Sequence, residues 1–394
     1  MLTNRRRALA LLAASFASPL LHATGGKRPL NLAVNAEYGM LGSHAAQSIE
    51  KGVALAAAEI NEKGGLLGGR PLQVVRRDDR GVPARSIDNV RELATNPDTV
   101  AVFCGRFSPV VEALIPVVSE IGIPLLDPWA AADGLANNGR KPNFVFRLAL
   151  NDSWAIETMM NHARRRRFRH LTAMLPNNAW GRSGQAAIER QIKARPDIKA
   201  DVTWYNWGDN NFTPNLIAAR ENRSDALLLI SNEAEGKLIL ELLGRLPPAE
   251  QMPIIAHWGI TAGDFHLVTN GLASQFDLVT VQTFAFKETP DRRQQQVLQA
   301  GERFLGEDLR QLRALVGFAH AYDLTHLLAL AIDKAGSADR KAIRNALEQL
   351  GPYAGLVRNY PRPFSPANHE ALTRDQVFIA RYDPQGNLVR VREH

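Results

Sequence analysis

The sequence predicts an α/β protein built from two similar units. Short apolar segments alternate with longer segments of helical period, a pattern typical of parallel strands joined by crossover helices. The alternation starts again near residue 144, and 394 residues are enough for two domains. With 45% hydrophobic and 22% charged residues, the chain can bury a core and is not a disordered protein.

The first unit begins with an apolar strand at Leu30–Val34. A helix follows over Ala45–Lys63 and ends at Gly64-Gly65, because glycine adopts a positive φ without steric cost. The remaining elements of this unit are strand Leu72–Val75, helix Ala84–Ala94, strand Val100–Cys104, helix Val110–Ile121 and strand Ile123–Leu126. The glycine-rich segment at 64–69 therefore joins a helix to a strand, the reverse of the order in a phosphate-binding loop.

The second unit starts with a strand at Phe144–Leu148. It continues as helix Trp154–Ala163, strand Leu171–Leu175, helix Gln185–Ala194, strand Val202–Trp207, helix Pro214–Arg220, strand Ala226–Ile230, helix Glu235–Leu246, strand Pro253–Ala256 and strand Leu278–Thr283. The rest of the chain is mainly helical. It contains helices Gln294–Phe304, Gln311–Lys334 and Ala338–Leu350 before two final strands, Gln376–Tyr382 and Leu388–Val391.

Residues 1–23 predict a cleaved export signal. Arg5-Arg6-Arg7 precede an apolar stretch over Ala8–Leu21, and Ala23 stands at the expected cleavage position. The stretch is shorter than the roughly 20 residues of a membrane span, so membrane insertion is not expected. The signal fits the general secretory route or the twin-arginine route. No cysteine lies near the cleavage point, so we expect an exported protein without a lipid anchor that begins near Thr24.

Much of the basic charge belongs to this signal. Removing residues 1–23 takes away three arginines, leaves 44 basic and 40 acidic residues, and lowers the formal charge from +7 to +4. The remaining basic run, Arg164–Arg167 with Arg169, lies at a predicted helix end, where cations compensate the helix dipole. It lacks interleaved aromatic residues beyond Phe168. A solvated surface is therefore favoured over a nucleic-acid patch.

The chain carries no motif of a known enzyme or metal site. Ser108 lies outside any Gly-x-Ser-x-Gly motif, and the histidines include no His-Glu-x-x-His pattern. Asp78-Asp79 offers too few oxygen ligands for a hard cation. Cys104 is the sole cysteine and can form neither an intramolecular disulfide nor a thiolate zinc site. We therefore expect no catalytic residue, no metal and no cofactor.

Polar and aromatic residues follow the predicted strands, at the position where open α/β sheets bind ligands. Ser108 comes after the strand Val100–Cys104, where its hydroxyl can exchange hydrogen bonds with a ligand. Trp129, Trp180 and Trp258 each lie in a loop just beyond an apolar strand, which favours the lining of a cleft over a place in the core. The alternative is that these indoles only fill the cleft around a small polar solute.

Seven further motifs occur in order between residues 30 and 391. They are Gly52-Val53-x-Leu55-Ala56, Glu59-Ile60-Asn61-Glu62-Lys63-Gly64-Gly65-Leu66-Leu67-Gly68, Asp78-Asp79, Gly122-Ile123-Pro124-Leu125, Phe146-Arg147, Trp180-Gly181 and Ala321-Tyr322-Asp323. In this order they resemble the periplasmic leucine/isoleucine/valine-type solute-binding proteins of ABC transporters.

The resemblance implies a type I periplasmic-binding fold, in which two Rossmann-like lobes joined by three hinge crossings close on a ligand. We expect crossings near 145–150, 277–284 and 355–366. Residues 28–147 and 281–358 then form one lobe, and 148–280 and 359–394 the other.

The resemblance also implies a function without chemistry. The chain is expected to be the periplasmic substrate-binding protein of an ABC importer, with a small-molecule ligand and ABC permease subunits as partners. The alternative is a ligand-sensing component of a membrane receptor with a sensor kinase as partner, and an exported hydrolase using Ser108 is the least favoured hypothesis. Nucleic acid is not an expected partner.

In amino-acid-binding members of the family, the ligand is held by a serine, a small residue, a threonine, a tyrosine and an acid. Ser108 matches the serine, with a spacing from Gly105 that is one residue short. The other four positions depart from the family pattern and fall on Trp129, Ala131, Trp180 and Trp258. The last position is an acid in those members, so a ligand ammonium loses its partner here unless Glu233 or Glu235 replaces that acid. The guanidinium of Arg106 can bind a ligand carboxylate through two parallel hydrogen bonds. We thus predict a ligand with a flat or apolar body, an aromatic or hydrophobic carboxylic acid first and a branched-chain amino acid second. The predicted contacts are Ser108, Arg106, Trp129, Ala131, Trp180, Glu233 and Trp258.

Overall fold

The computed structural model describes residues 27–392, so the predicted export signal lies outside the described residues. The strands are β1 (Leu30–Ala36), β2 (Leu72–Asp78), β3 (Thr99–Cys104), β4 (Leu125–Asp127), β5 (Val145–Arg147), β6 (His170–Pro176), β7 (Lys199–Tyr205), β8 (Ala226–Leu229), β9 (Ile254–Ala256), β10 (Leu278–Gln282), β11 (Tyr353–Ala354), β12 (Asn359–Tyr360), β13 (Phe378–Tyr382) and β14 (Leu388–Arg390). The helices are α1 (Ala45–Glu62), α2 (Pro83–Ala94), α3 (Ser108–Ile121), α4 (Asp152–Arg165), α5 (Ala179–Ala194), α6 (Thr213–Glu221), α7 (Glu233–Gly244), α8 (Phe265–Val268), α9 (Leu272–Gln275), α10 (Arg292–Ala300), α11 (Leu315–Ala335) and α12 (Arg340–Leu347).

Two large sheets organise these elements. The first has the order β2-β1-β3-β4-β5 and is parallel throughout. The second has the order β14-β13-β10-β9-β8-β6-β7, with β6 to β10 parallel to their neighbours and β13 and β14 antiparallel. The predicted α/β architecture with two sets of parallel strands is confirmed.

The core of the first lobe lies between its sheet and two long helices. α1 and α12 both pack against α11. The close approach of α1 to α11 requires Gly52, because a Cβ at this position would lie 2.3 Å from the carbonyl oxygen of Phe318. Among the described residues, α11 has the length and composition of a membrane span, but 83% of its apolar window is buried inside the protein.

The chain passes between the two sheets three times. It leaves the first sheet after β5, returns from the second sheet after β10, and goes back to the second sheet before β13. The passage after β5 is fixed by Arg147, whose guanidinium donates to both carboxylate oxygens of Glu370 at 2.8 and 2.5 Å. A buried, bidentate ion pair therefore ties the first passage to the third.

One predicted boundary is wrong in a way that affects the site. The predicted helix at Gln185–Ala194 begins six residues earlier, as α5 at Ala179. The cause is Asn178, whose side chain accepts hydrogen bonds from the backbone N–H groups of Trp180 and Gly181 at 2.9 and 3.2 Å and caps the helix. Trp180 therefore lies in the first turn of a helix and not in a loop.

Candidate ligand-binding site

The candidate site lies between the two sheets, at the carboxyl ends of their strands. From the first sheet come residues just after β1, β3 and β4, and from the second come residues just after β7, β8 and β9. In open α/β sheets this is the edge at which ligands bind. The polar and aromatic side chains at these positions are almost all buried.

An ion pair joins the two lobes at this edge. Arg106 lies two residues after β3, and Glu233 is the first residue of α7. The guanidinium Nη1 and Nη2 atoms donate to Oε2 and Oε1 of Glu233 at 2.5 and 2.8 Å. The helix dipole at the start of α7 also favours this carboxylate. The pair is bidentate and buried, so it holds the two lobes together in this arrangement.

A second carboxylate lies on the other side of Arg106. Glu37 follows β1, and its Oε1 is 3.5 Å from the Nε of Arg106. Burial raises the pKa of Glu37 to about 7, although the charge of Arg106 acts in the opposite direction. Gly105 makes room for this side chain, because a Cβ there would be 2.1 Å from Oε2 of Glu37.

Two tryptophans from different lobes are in contact. The rings of Trp129 and Trp258 have centroids 5.6 Å apart and planes inclined at 46°. Trp129 is placed by a turn in which its backbone N–H donates to Oδ1 of Asp127 at 3.0 Å. On its other side lies Gly317 of α11, where a Cβ would be 2.8 Å from the indole. The absence of a side chain at Gly317 therefore makes room for Trp129.

The third tryptophan belongs to a polar cluster of the second lobe. The indole Nε1 of Trp180 donates to Oδ1 of Asp152 at 3.1 Å, and the same oxygen is 3.2 Å from Nε2 of His257. The rings of Trp180 and His257 meet edge to face at 5.0 Å. Burial raises the pKa of Asp152, and the neighbouring His257 partly offsets that effect. The cluster fixes the orientation of Trp180.

Ser108 and Ala131 make hydrogen bonds at the loop that carries Trp129. The hydroxyl of Ser108 accepts a hydrogen bond from the backbone N–H of Ala132 at 3.1 Å. The carbonyl of Ala131 accepts one from the backbone N–H of Asp152 at 2.8 Å. Both residues therefore hold the loop that carries Trp129.

The structure brings the seven predicted residues to one cleft, with different roles from those expected. Arg106 and Glu233 were predicted as separate ligand contacts, and here they bind each other. Ser108 was predicted to face a ligand, and its hydroxyl is used by the chain itself. Their contact with a ligand stays a prediction.

A second aromatic pair was not predicted. Phe107 follows Arg106, and its ring lies 4.9 Å from the ring of Trp207, which comes from the opposite lobe. The next residue, Gly208, donates its backbone N–H to Oε1 of Glu235 at 3.1 Å. Trp207 was predicted to be the last residue of a strand, but β7 ends two residues before it. Because the end of this strand was misplaced, the contact between Phe107 and Trp207 was not predicted.

Several buried polar atoms of this region have no hydrogen-bond partner within the described residues. They are Asp127 Oδ2, Asp152 Oδ2, Trp207 Nε1, Ser231 Oγ, Glu235 Oε2 and His257 Nδ1. Glu37 Oε1 and Arg106 Nε make no hydrogen bond within residues 27–392 either, but they face each other in an ion pair at 3.5 Å, and His257 Nε2 faces Asp152 Oδ1 at 3.2 Å. Each such atom costs about 1–3 kcal/mol if it stays unpaired. Buried polar groups in native proteins are nearly always paired, so these atoms are candidates for contact with a ligand or water. Most of these residues lie within three positions of a strand end, which is the signal that would have found them.

Within residues 27–392, no group of three or more histidine, cysteine, aspartate or glutamate side chains is arranged to hold a metal ion.

Comparison with known proteins points to one family. A family model described as periplasmic binding protein matches residues 38–387. The comparison with curated proteins found no match.

Solved structures share the fold over almost the whole chain. A periplasmic binding protein type 1 from Bordetella pertussis Tohama I is 20% identical, with a TM-score of 0.81 over 92% of this chain and 100% of that one. The branched-chain amino acid transporter substrate binding protein LivJ from Streptococcus pneumoniae, in complex with isoleucine, is 19% identical, with a TM-score of 0.76 and the same coverage. A solute binding protein from R. palustris in complex with 4-hydroxybenzoate is 14% identical, with a TM-score of 0.78 over 93% of this chain and 96% of that one. At these identities the likeness establishes the fold.

Proposed function

This chain belongs to the periplasmic binding protein family, and from that membership we propose that it is the substrate-binding protein of an ABC importer. It captures a small organic solute between its two lobes and presents it to the permease subunits of the inner membrane. The resemblance noted in the sequence and the type I fold with two lobes are both confirmed. We propose lobe boundaries at residues 147/148 and 358/359. The boundary predicted at 280/281 falls inside β10 of the second sheet, so we propose it after Gln282.

The observation that carries this proposal is the concentration of unpaired buried polar atoms between the lobes. They lie beside aromatic rings that both lobes supply, such as Trp129 and Trp258. A ligand with an apolar body and a few polar atoms would complete these hydrogen bonds and pack against the indoles. The seven residues predicted from the sequence are its proposed contacts or their direct supports.

The family consists of binding proteins and not of enzymes. We propose that this chain performs no chemistry either. Ser108, the candidate nucleophile, is the buried first residue of α3. Its hydroxyl accepts a hydrogen bond from the backbone N–H of Ala132. Within residues 27–392, the Ser108 hydroxyl makes no hydrogen bond with a histidine that could act as its general base.

We propose that the protein works in the periplasm after cleavage near Ala23. The relatives of known structure are described as complexes with isoleucine, leucine or 4-hydroxybenzoate. These names support an amino acid or an aromatic or hydrophobic acid as the starting class for a screen. A role as the sensing partner of a membrane receptor would use the same lobe closure and differ only in the partner.

A thermal-shift screen of the mature protein tests the proposal. Amino acids, aromatic acids, amines, amides and small alcohol-derived metabolites form the panel. A ligand at 100 times its dissociation constant stabilises the protein by about 2.7 kcal/mol. Uptake of the identified compound should then be lost in cells that lack this protein and return when it is restored. Binding without any change in uptake would favour the sensing role, and no binding at all would contradict both.

A further inference from the structure

We infer that Gln282 and Thr283 form the pivot of the second hinge crossing, and that each side chain anchors this pivot to the tryptophan of its own lobe. The inference rests on the lobe closure of the proposed function and adds the positioning residues that connect the cleft to the hinge. Gln282 is the last residue of β10 in the second sheet. Thr283 is the first residue of the segment that returns to the first lobe.

The anchor to the second lobe consists of two successive hydrogen bonds. The side-chain Nε2 of Gln282 donates to Oγ1 of Thr261 at 3.2 Å. The hydroxyl of Thr261 in turn donates to the carbonyl oxygen of Trp258 at 2.7 Å. Trp258 and Thr261 are the first and last residues of a short 3-10 helix. The end of β10 is therefore joined to the turn that carries Trp258.

The anchor to the first lobe runs through His320 of α11. The hydroxyl oxygen of Thr283 lies 2.9 Å from Nε2 of His320. Nδ1 of the same ring lies 2.8 Å from the carbonyl oxygen of Pro128, the residue directly before Trp129. A single imidazole ring therefore joins the second crossing to the loop that carries Trp129.

The two partners of His320 assign the proton of its ring. A carbonyl oxygen only accepts hydrogen bonds, so Nδ1 carries the proton and donates it to Pro128. Nε2 is then the acceptor, and the hydroxyl of Thr283 donates to it. Burial lowers the pKa of His320 to about 4, so the ring is neutral at pH 7 and has the one donor and one acceptor that this arrangement needs.

Burial explains why the rotation of the lobes falls between residues 282 and 283. Gln282, Thr261, Thr283 and His320 are all at most 5% exposed, so bulk water does not replace their partners. A buried polar group that loses its partner is costly, and both anchors are therefore expected to stay intact while the lobes move. Because Gln282 is bound to the second lobe and Thr283 to the first, the change in backbone angles is confined to the link between them.

His320 also contributes to the contact between the lobes. Its ring centroid lies 5.8 Å from that of Trp258, which also contacts Trp129 at 5.6 Å. Gly317, three residues earlier on the same face of α11, makes room for Trp129. Trp258 thus packs against two rings of the first lobe. A ligand that displaces either indole acts on a loop or turn that is hydrogen-bonded to the pivot.

Hydrogen exchange of the mature protein, measured by mass spectrometry without ligand, tests the two anchors separately. Thr283→Val removes a hydroxyl and keeps the shape of the side chain. It should speed exchange of the backbone amides at 129–132 roughly 2–10-fold, the effect of one lost hydrogen bond, with little change at 258–262. Gln282→Met removes the amide of the other anchor and should give the reverse pattern.

Two further variants serve as controls. Thr280→Val removes a buried hydroxyl from the same strand, but that hydroxyl donates to the carbonyl of the adjacent Val281 at 3.4 Å, and exchange at both segments should equal that of the parent. Thr283→Ser keeps the hydroxyl and should return exchange at 129–132 towards the parent rate. Exchange that rises equally at both segments in each test variant, or at neither, would overturn the inference. If Gln282→Met does not fold, Thr283→Val and its rescue by Thr283→Ser decide.

Two other measurements examine the ring and the hinge. Nitrogen NMR of the parent at pH 7 should show His320 with its proton on Nδ1, and a proton on Nε2 would overturn the anchor to the first lobe. Small-angle scattering without ligand should give a larger radius of gyration for Thr283→Val and Gln282→Met than for Thr280→Val, because a looser pivot favours the open lobes. Equal radii in all three variants would contradict a role in closure.

Failure of the inference can be told apart from failure of the proposed function, because none of these measurements uses a ligand. If the screen identifies a ligand and the exchange pattern is absent, the binding function stands and the pivot is wrong. If the pattern is found and no compound binds, the two anchors stand and the proposed function fails.

Discussion

Trp129 and Trp258 form a direct contact between the two lobes, with ring centroids 5.6 Å apart. Their backbones belong to different sheets, so this contact exists only while the cleft is closed. Arg106 and Glu233 make a second contact of the same kind. Movement of the lobes must break both, which makes them suitable reporters of the binding cycle.

Ligand binding is expected to shrink the particle. Lobe closure around three hinge crossings brings the two sheets together, so the radius of gyration should fall when an identified ligand is added. Small-angle scattering of the mature protein with and without ligand measures this. Glu233→Gln weakens the ion pair across the cleft and should give a larger radius than the parent without ligand. An unchanged radius in both experiments would contradict the closure mechanism.

Truncating the tryptophans is expected to weaken ligand binding. Trp129→Ala and Trp258→Ala each remove an aromatic wall of the cleft and cost about 3–5 kcal/mol of stability, as for other buried aromatic residues. Trp180→Ala removes the indole that donates to Asp152. Phenylalanine at each position should restore part of the affinity, since it keeps an aromatic face.

The control for these variants is Trp204→Ala, because Trp204 lies outside the site on β7 and is 39% exposed. Calorimetric titration measures all variants, with circular dichroism to check folding. If the three variants of buried tryptophans fold and bind like Trp204→Ala, the aromatic residues serve only to fill the cleft.

Gly317→Ala is expected to displace the Trp129 ring and so weaken ligand binding. A Cβ at this position would be 2.8 Å from the Trp129 ring, so the indole must shift towards the cleft. Overpacking of this kind costs about 1–3 kcal/mol. We expect a loss of ligand affinity together with a modest fall in unfolding free energy, measured by titration and urea denaturation. Gly351→Ala is the matched control, because no atom lies within 4 Å of a Cβ there. Equal affinities in the two variants would contradict the role given to Gly317.

The sequence was sufficient for the order of the long strands and helices, because the apolar segments are short and regularly spaced. It missed the short elements α8, α9, β11 and β12, and it placed β5 in the second unit although that strand belongs to the first sheet. It was less informative about the ends of elements. The cap by Asn178 extends α5 back to Ala179, and β7 ends before Trp207, so the positions of Trp180 and Trp207 were both misjudged. Local hydrogen bonds of one side chain decided the first of these ends, and the apolar pattern does not reveal them.

The prediction of the site residues from the sequence has a similar limit. Strand ends indicated Ser108, Arg106 and the tryptophans, because parallel strands bring their carboxyl ends to one edge. The pairing of Arg106 with Glu233 depends on how two lobes meet, over a separation of 127 residues. No local pattern contains that information. Glu37 also follows a strand end, but its contact with Arg106 joins residues 69 positions apart and is likewise absent from any local pattern.

The exported protein is expected to begin near Thr24. The basic segment, apolar stretch and small residue at position 23 predict cleavage there, and the nearest cysteine is Cys104. Mass spectrometry of protein recovered from the periplasm measures the N-terminus. An uncleaved or lipid-modified N-terminus would contradict the prediction.

The stability of the protein is expected to depend on pH through Glu37. Burial raises its pKa from 4.5 to about 7, so the folded state binds this proton more tightly than the unfolded state does. Stability from this group is therefore fully present below pH 4.5 and is lost as the pH rises through 7. A shift of this size corresponds to about 3 kcal/mol across the window.

Glu37→Gln removes this titration and should reduce the fall in unfolding free energy between pH 4.5 and 8. Urea denaturation at several pH values measures that fall in the parent, in Glu37→Gln and in the control Glu120→Gln, which changes an exposed residue of α3 that pairs with Arg91 at the surface. Asp127, whose pKa burial raises to about 6, titrates in all three proteins and so does not enter the difference between them. A pH profile of Glu37→Gln parallel to that of the parent would show that Glu37 does not titrate in this range.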